Sequence, residues 1–165
     1  MADGKDGKDD KTAGEFLVAS NRKAYHEYFI EQTIEAGLVL SGTEVKSLRA
    51  KNAQLADGYA MIEGGQIFLH KVHIAPYAMG NRANHEPMRT RKLLLHRREI
   101  DRLWGLTRQQ GYTLIPLRLY FTRGKAKVAI GLCKGKKSHD KRQAIAERDS
   151  KREVARAIRS RGRDI

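Results

Sequence analysis

Apolar and polar positions alternate along "FIEQTIEAGLVL". Ile30, Ile34, Ala36, Leu38 and Leu40 share one side, and Glu31, Thr33 and Glu35 the other. A period of two predicts a strand with one face on a core. Gly37 interrupts it and marks a bulge or a sharp bend. The stretch "GYAMIEGGQIFLHKVHI" predicts two strands around Gly64-Gly65, a two-residue hairpin signal. "YTLIPLRLYF" and "KAKVAIGLCK" predict another pair around Arg123-Gly124. In that pair Ile115, Leu117, Leu119 and Phe121 point inward, and Arg118 and Tyr120 outward. Lys125 and Lys127 alternate with Ala126, Val128 and Ile130. Pro116 fits an edge or a bulge.

Three segments carry helical spacing instead. "NRKAYHEY" predicts a short helix with Asn21 as N-cap. "SGTEVKSLRA" predicts a second, capped by Ser41 or Thr43, with Val45 and Leu48 on one face. The strongest runs from about His96 to Gln110, with a stripe of Ile100, Leu103, Trp104 and Thr107 and with Gly111 at its end. Residues 76–90 have no period and contain Pro76, Gly80, Asn81, Asn84 and Pro87, which predicts a loop. The count is about six strands and three short helices. Six alternating strands are best closed on themselves, because closure removes exposed edges. The expected fold is mainly β: a six-stranded antiparallel barrel of the oligonucleotide-binding type, flanked by about three helices.

Composition divides the chain into three zones. Residues 1–15 carry three Lys and five acids, a net of −2, and no core-forming side chain; they read as disordered. Residues 16–133 carry 18 basic and 9 acidic residues, net +9, and form the folded body. Residues 134–165 carry 12 basic and 5 acidic residues, net +7, so about a fifth of the length holds half of the total +14. In that tail Asp140 and Gln143 have capping-box spacing, and Glu147–Lys151, Asp149–Arg152 and Glu153–Arg156 are helical charge pairs. Only Ile145, Val154 and Ile158 are large aliphatics before the terminal Ile165. That is too little to offset the ordering entropy, so the tail is expected to be disordered alone and helical on a phosphate-rich partner.

The charge balance points to a polyanion, since each phosphate neutralised releases condensed counterions. No apolar run approaches the roughly 20 residues of a membrane span, and no basic-then-apolar leader opens the chain. A soluble cytoplasmic protein without a membrane role is the expectation. The single Cys133 excludes an intramolecular disulfide and a cysteine-rich zinc site.

Enzyme signals are poor. "GLCKGKK" lacks the spacing and the Ser or Thr of a phosphate loop. His70 and His73 stand three apart in a strand and face opposite ways, a poor metal pair. No cofactor or metal is expected. Basic clusters are the stronger signal. Arg22 and Lys23 sit beside Tyr25, His26 and Tyr28, and "RTRKLLLHRR" places Arg91 and Lys92 beside three consecutive Leu residues. Cations interleaved with rings suit phosphates and unpaired bases. Glu35, an acid on the polar side of a strand in a basic protein, is either a surface charge or an acceptor for base, ribose or Arg donors.

The strings "NRKAYHEYFIEQTIEAGLVLSGTEVKSLR", "GNRANHEPMRTRKLLLH" and "GKKSHDKR" give the chain a resemblance to the small protein B family, the SsrA-binding proteins of bacterial trans-translation. The resemblance covers nearly all of residues 16–165. It implies a non-enzymatic, monomeric partner of transfer-messenger RNA whose barrel holds the tRNA-like domain at its elbow. It implies that the complex enters the empty A site of a stalled ribosome with elongation factor Tu. The tail would then probe the decoding centre and the vacant mRNA channel. The residues expected to contact the RNA are Asn21, Arg22, Lys23, His26, Glu35, Arg91, Lys92, Leu94, Lys125 and Lys127, with Leu94 the exposed member of its triplet. The ribosome-engaging element is expected at Gly135, Lys136, Lys137, His139, Asp140, Lys141 and Arg142, with Ile158 further along. The rival readings are an RNA-processing enzyme and a structural ribosomal or cold-shock-like protein.

Overall fold

The computed structural model describes residues 14–80, 83–109, 111–136 and 138–161. Among these described residues, nine strands and four helices follow in the order β1 (Glu15–Ser20), α1 (Arg22–Glu27), β2 (Tyr28–Leu38), α2 (Gly42–Arg49), β3 (Ala53–Gln54), β4 (Tyr59–Glu63), β5 (Gln66–His70), β6 (His73–Ile74), β7 (Arg91–Leu94), α3 (Arg97–Gln109), β8 (Thr113–Thr122), β9 (Lys125–Gly135) and α4 (Ser138–Arg161). Seven strands run in the order β1-β8-β4-β5-β7-β2-β9, and a further β8–β9 pairing returns the sheet on itself. Six strands thus form the expected closed antiparallel ring. β1 lies alongside β8, and β3 pairs separately with β6.

The two hairpins form where the pattern predicted them. Gly64 and Gly65 have φ of 58° and 75°, and Arg123 and Gly124 have φ of 50° and 75°. Positive φ at both central residues matches the right-handed twist of the flanking strands. The ring encloses one core that includes Ile34, Ala36, Leu38, Ile62, Ile67, Leu69, Leu93, Leu119, Val128 and Ile130. Among the described residues no helix is long and apolar enough to cross a membrane.

Three readings of the pattern are corrected. Residues 91–94, read only as part of a charged run, are β7, a strand of the ring between β5 and β2. Its four residues were too few, and too charged, to show a period against their neighbours. Ile115 and Leu117 do not face the ring interior. The pairing of β8 with β9 shifts register between Pro116 and Arg118, and one extra residue reverses the faces on either side of it. Leu114 therefore joins Leu119 and Phe121 inside, while Ile115 and Leu117 form a satellite core with Ala24 and Cys133 beneath α1. In α3, Ile100 and Leu103 are buried as expected, but Trp104 is 44% exposed.

The tail was expected to be disordered alone and helical on a phosphate-rich partner. It is one helix from Ser138 to Arg161. The absence of Gly and Pro and the charge pairs at helical spacing account for this. Ile145, Val154 and Ile158 remain exposed on it, as their low number predicted. Of residues 1–15, Glu15 opens β1, while the reading of 1–13 as disordered lies outside the described residues.

Candidate nucleic-acid interface

A buried ion network sets which way β7 faces. Glu44, in the first turn of α2, accepts from the Ser41 backbone N–H at 3.0 Å and from the Ser41 hydroxyl at 3.1 Å. Its carboxylate also receives Arg91 Nε and Arg89 Nη2. Arg91 completes its donors on the carbonyls of Val72 at 2.7 Å and Pro87 at 3.1 Å. Both Glu44 and Arg91 are fully buried. Burial alone would raise the Glu44 carboxyl, but the Ser41, Arg89 and Arg91 hydrogen bonds outweigh it and hold the pKa at about 2. Burial pulls the Arg91 guanidinium down from its ordinary range, against the Glu44 carboxylate. With Arg91 and Leu93 turned inward, the strand alternation turns Lys92 and Leu94 outward. Arg91, expected at the RNA surface, is thus withdrawn from it.

Two cross-strand rows build the outer face. The first runs Ser20–Arg118–Ala129–Glu35 over β1, β8, β9 and β2. The second runs Leu17–Tyr120–Lys127–Gly37 over the same strands and continues to Leu94 on β7. β8, β9 and β2 contribute residues two apart, and on β1 a register shift between Leu17 and Ala19 makes the step three, so both rows lie on one side of the sheet. Strands about 4.8 Å apart make the second row roughly 19 Å wide. Gly37 is where β2 exchanges β9 for β7 as its partner. A Cβ there would lie 3.1 Å from Leu94 Cβ, so any side chain at residue 37 would press Leu94 to shift by a few tenths of an ångström.

Glu35 has its own partner in this face. The Tyr120 hydroxyl donates to Glu35 Oε2 at 2.5 Å, and the Arg118 guanidinium lies 5.3 Å from the Tyr120 ring centroid. Burial, then the Glu35 carboxylate, push the Tyr120 hydroxyl well above its ordinary range, so it stays a donor. Glu35 is exposed on the side of the sheet that also carries Arg118, Lys127, Lys125 and Lys92. Such an arrangement offers cations to phosphates and one fixed acceptor to a base or ribose donor.

The first row ends at the start of α1. Asn21 is buried, and its side chain is spent on the fold. Its Oδ1 accepts from the Ala24 N–H at 3.1 Å, and its Nδ2 donates to the carbonyls of Pro116 at 2.9 Å and Leu55 at 3.3 Å. Asn21, expected as a direct contact, is instead the cap that fixes α1 to the barrel. Arg22 and Lys23 are then presented on the exposed first turn. Lys23 lies 3.6 Å from Asp57, and His26 is half-buried. Tyr25 is 50% exposed, whereas Tyr28 packs on the satellite core.

Comparison with known proteins agrees with this geometry. Residues 18–160 match the family described as SmpB protein. The chain is 58% identical over 145 residues, 88% of its length and 94% of the relative's, to an SsrA-binding protein of Geobacillus sp. (strain WCH70). It is 56% identical over 151 residues, 92% of its length and 99% of the relative's, to an SsrA-binding protein of Pelobacter propionicus. This chain belongs to the SmpB protein family. A solved structure described as "tmRNA-SmpB: a journey to the center of the bacterial ribosome" is similar with a TM-score of 0.64 and 48% identity, over 77% of this chain and 93% of that one.

Against this SmpB-family fold, the expected tail element starts on the barrel. Gly135 ends β9 opposite Tyr28. The Lys136 N–H donates to the Glu27 carbonyl at 2.8 Å. Its ammonium lies 5.1 Å from the Phe29 ring centroid and 3.4 Å from the Tyr25 carbonyl oxygen. Lys137 lies outside the described residues. His139, Asp140, Lys141 and Arg142 belong to the opening turns of α4, and Ile158 is exposed near its far end. The sequence reading placed Arg118 and Tyr120 outward but gave them no part in the site. A signal existed, because the two-residue hairpin at Arg123-Gly124 already sets Tyr120 opposite Lys127. Among the described residues, no group of three or more His, Cys, Asp or Glu is placed to hold a metal ion.

Proposed function

We propose that this chain binds transfer-messenger RNA and acts in the rescue of stalled ribosomes. The observation that carries this reading is the match at 58% identity over 88% of the chain to an SsrA-binding protein. The two-row outer face supports it. Arg22, Lys23, Arg118, Lys127, Lys125 and Lys92 offer cations to the tRNA-like domain. Glu35 supplies the acceptor, and Leu94 an apolar contact. Asn21 and Arg91 act from within, by holding α1 and β7.

In this reading the complex stands in for a tRNA and reaches the ribosome with elongation factor Tu. Helix α4 and the Gly135–Arg142 segment occupy the decoding centre and the vacant message channel. The protein is a cytoplasmic monomer and contributes binding rather than catalysis. The test is the identity of co-purifying RNA, together with a chain truncated before Lys136. One RNA species, transfer-messenger RNA, is expected. The truncated chain is expected to hold it while tagging of stalled chains collapses. Bulk ribosomal RNA alone would overturn the reading.

A further inference from the structure

A cleft of about 290 Å3 lies between α3 and the β4–β5 hairpin, lined by Ile62, Gly64, Gly65, Arg97, Ile100, Asp101 and Trp104. Its walls are largely apolar, and the half-exposed indole of Trp104 forms one side. An aromatic side chain exposed at 44% on a helix whose Ile100 and Leu103 already fill the core is not needed to close the barrel. The mouth is cationic. The Arg97 guanidinium lies 3.5 Å from where a Gly65 side chain would begin, and the Arg108 guanidinium lies 5.0 Å from the Trp104 ring centroid. Helix α3 carries Arg97, Arg98, Arg102 and Arg108 against Glu99 and Asp101, a net of +2. Asp101 is partly neutralised by Arg97 at 3.5 Å.

We infer that this cleft takes an unpaired nucleobase of the RNA bound at the outer face, stacked on Trp104, with its phosphate on Arg97. The inference rests on the RNA-binding role proposed above and extends its footprint. An indole flanked by guanidinium groups is suited to a base with its phosphate. The absence of side chains at Gly64 and Gly65 leaves room for a nucleotide to approach the hairpin. The net positive helix favours a polyanion over an acidic-surface-avoiding apolar peptide. Continuity assigns the RNA: Leu94 ends the second row, and Arg97 follows three residues on, at most about 11 Å away along the chain.

The chain has one tryptophan, so its emission reports this cleft alone. The experiment titrates the full-length protein with transfer-messenger RNA, reading Trp104 fluorescence and gel-shift affinity together. The expected result is quenching that saturates with complex formation. Trp104→Ala should lower affinity about 5- to 150-fold, the range for losing one base–aromatic stack. Trp104→Phe, which keeps a stacking face, should retain most of it. Arg97→Ala should reduce the slope of log affinity against log salt by about 0.7. Binding without quenching, or wild-type affinity in Trp104→Ala, would overturn the inference and leave the outer-face reading standing. Quenching by ribosomal subunits alone, with none by transfer-messenger RNA, would also overturn it. No gel shift with the wild-type chain would instead remove the RNA-binding role itself.

Discussion

The Leu94 side chain covers the backbone of Gly37, in the space that a side chain at residue 37 would need, with 3.1 Å between Leu94 Cβ and that missing Cβ. Leu94 is 54% exposed and caps the row that crosses β7, β2, β9, β8 and β1. Leu94→Ala should change stability by no more than about 0.5 kcal/mol, as surface substitutions do, yet lower RNA affinity. Gly37→Val should lower both stability and RNA affinity. The added branches force Leu94 off its rotamer, at about 1–3 kcal/mol. Thermal melts and gel shifts on the two variants check this. A Leu94→Ala protein with full affinity would exclude Leu94 from the interface.

Glu35→Ala is expected to weaken RNA binding although it makes the face more positive. A surface acting only through charge would bind more tightly after that change. The substitution also leaves the buried Tyr120 hydroxyl without its acceptor, which costs stability by about 1–3 kcal/mol. Adding Tyr120→Phe removes the orphaned hydroxyl and should return most of that stability while leaving the loss of RNA affinity in place. Tighter binding by Glu35→Ala at fixed salt would make Glu35 an ordinary surface charge.

The buried Glu44 gives the fold an acid-sensitive element. Its carboxyl stands at about 2 in the folded chain, below the ordinary 4.5. A depressed folded value contributes stability above the unfolded pKa, and that stability is lost as pH falls through the folded one. The loss should run from roughly pH 5 down to pH 2 and amount to on the order of 3 kcal/mol. Glu44→Gln should be less stable at neutral pH and lose less over that acid range. Parallel acid limbs in urea melts of the two proteins would assign the acid sensitivity elsewhere.

Helix α4 can be broken without altering its charge. Pro at Ala146 or Ala155 removes an amide donor and clashes with the preceding turn, at about 3 kcal/mol within a helix. Both variants should bind transfer-messenger RNA near normally, because the outer face of the barrel is intact, and should fail to support tagging of stalled chains. Full tagging by both would show the tail working as an extended basic strand.

Local rules were sufficient for much of this molecule. Alternation identified the buried face of β2 at Ile34, Ala36 and Leu38. Gly64-Gly65 and Arg123-Gly124 announced their hairpins, and Asn21 and Ser41 announced the helices that follow them. Those features depend on neighbours within a few residues, so the sequence displays them directly. The net charge likewise pointed to a polyanionic partner. Three other decisions belong to the tertiary structure. The bulge at Pro116–Arg118 moved Ile115 and Leu117 from the ring interior to α1, because one inserted residue inverts a period of two. Arg91 and Lys92, adjacent and both cationic, were separated into interior and surface by Glu44, 47 residues away. Leu94 met Gly37 only because the ring closes through β7. Such pairings join segments distant along the chain, and the free energy that selects them comes from burying a shared core, which no local pattern records.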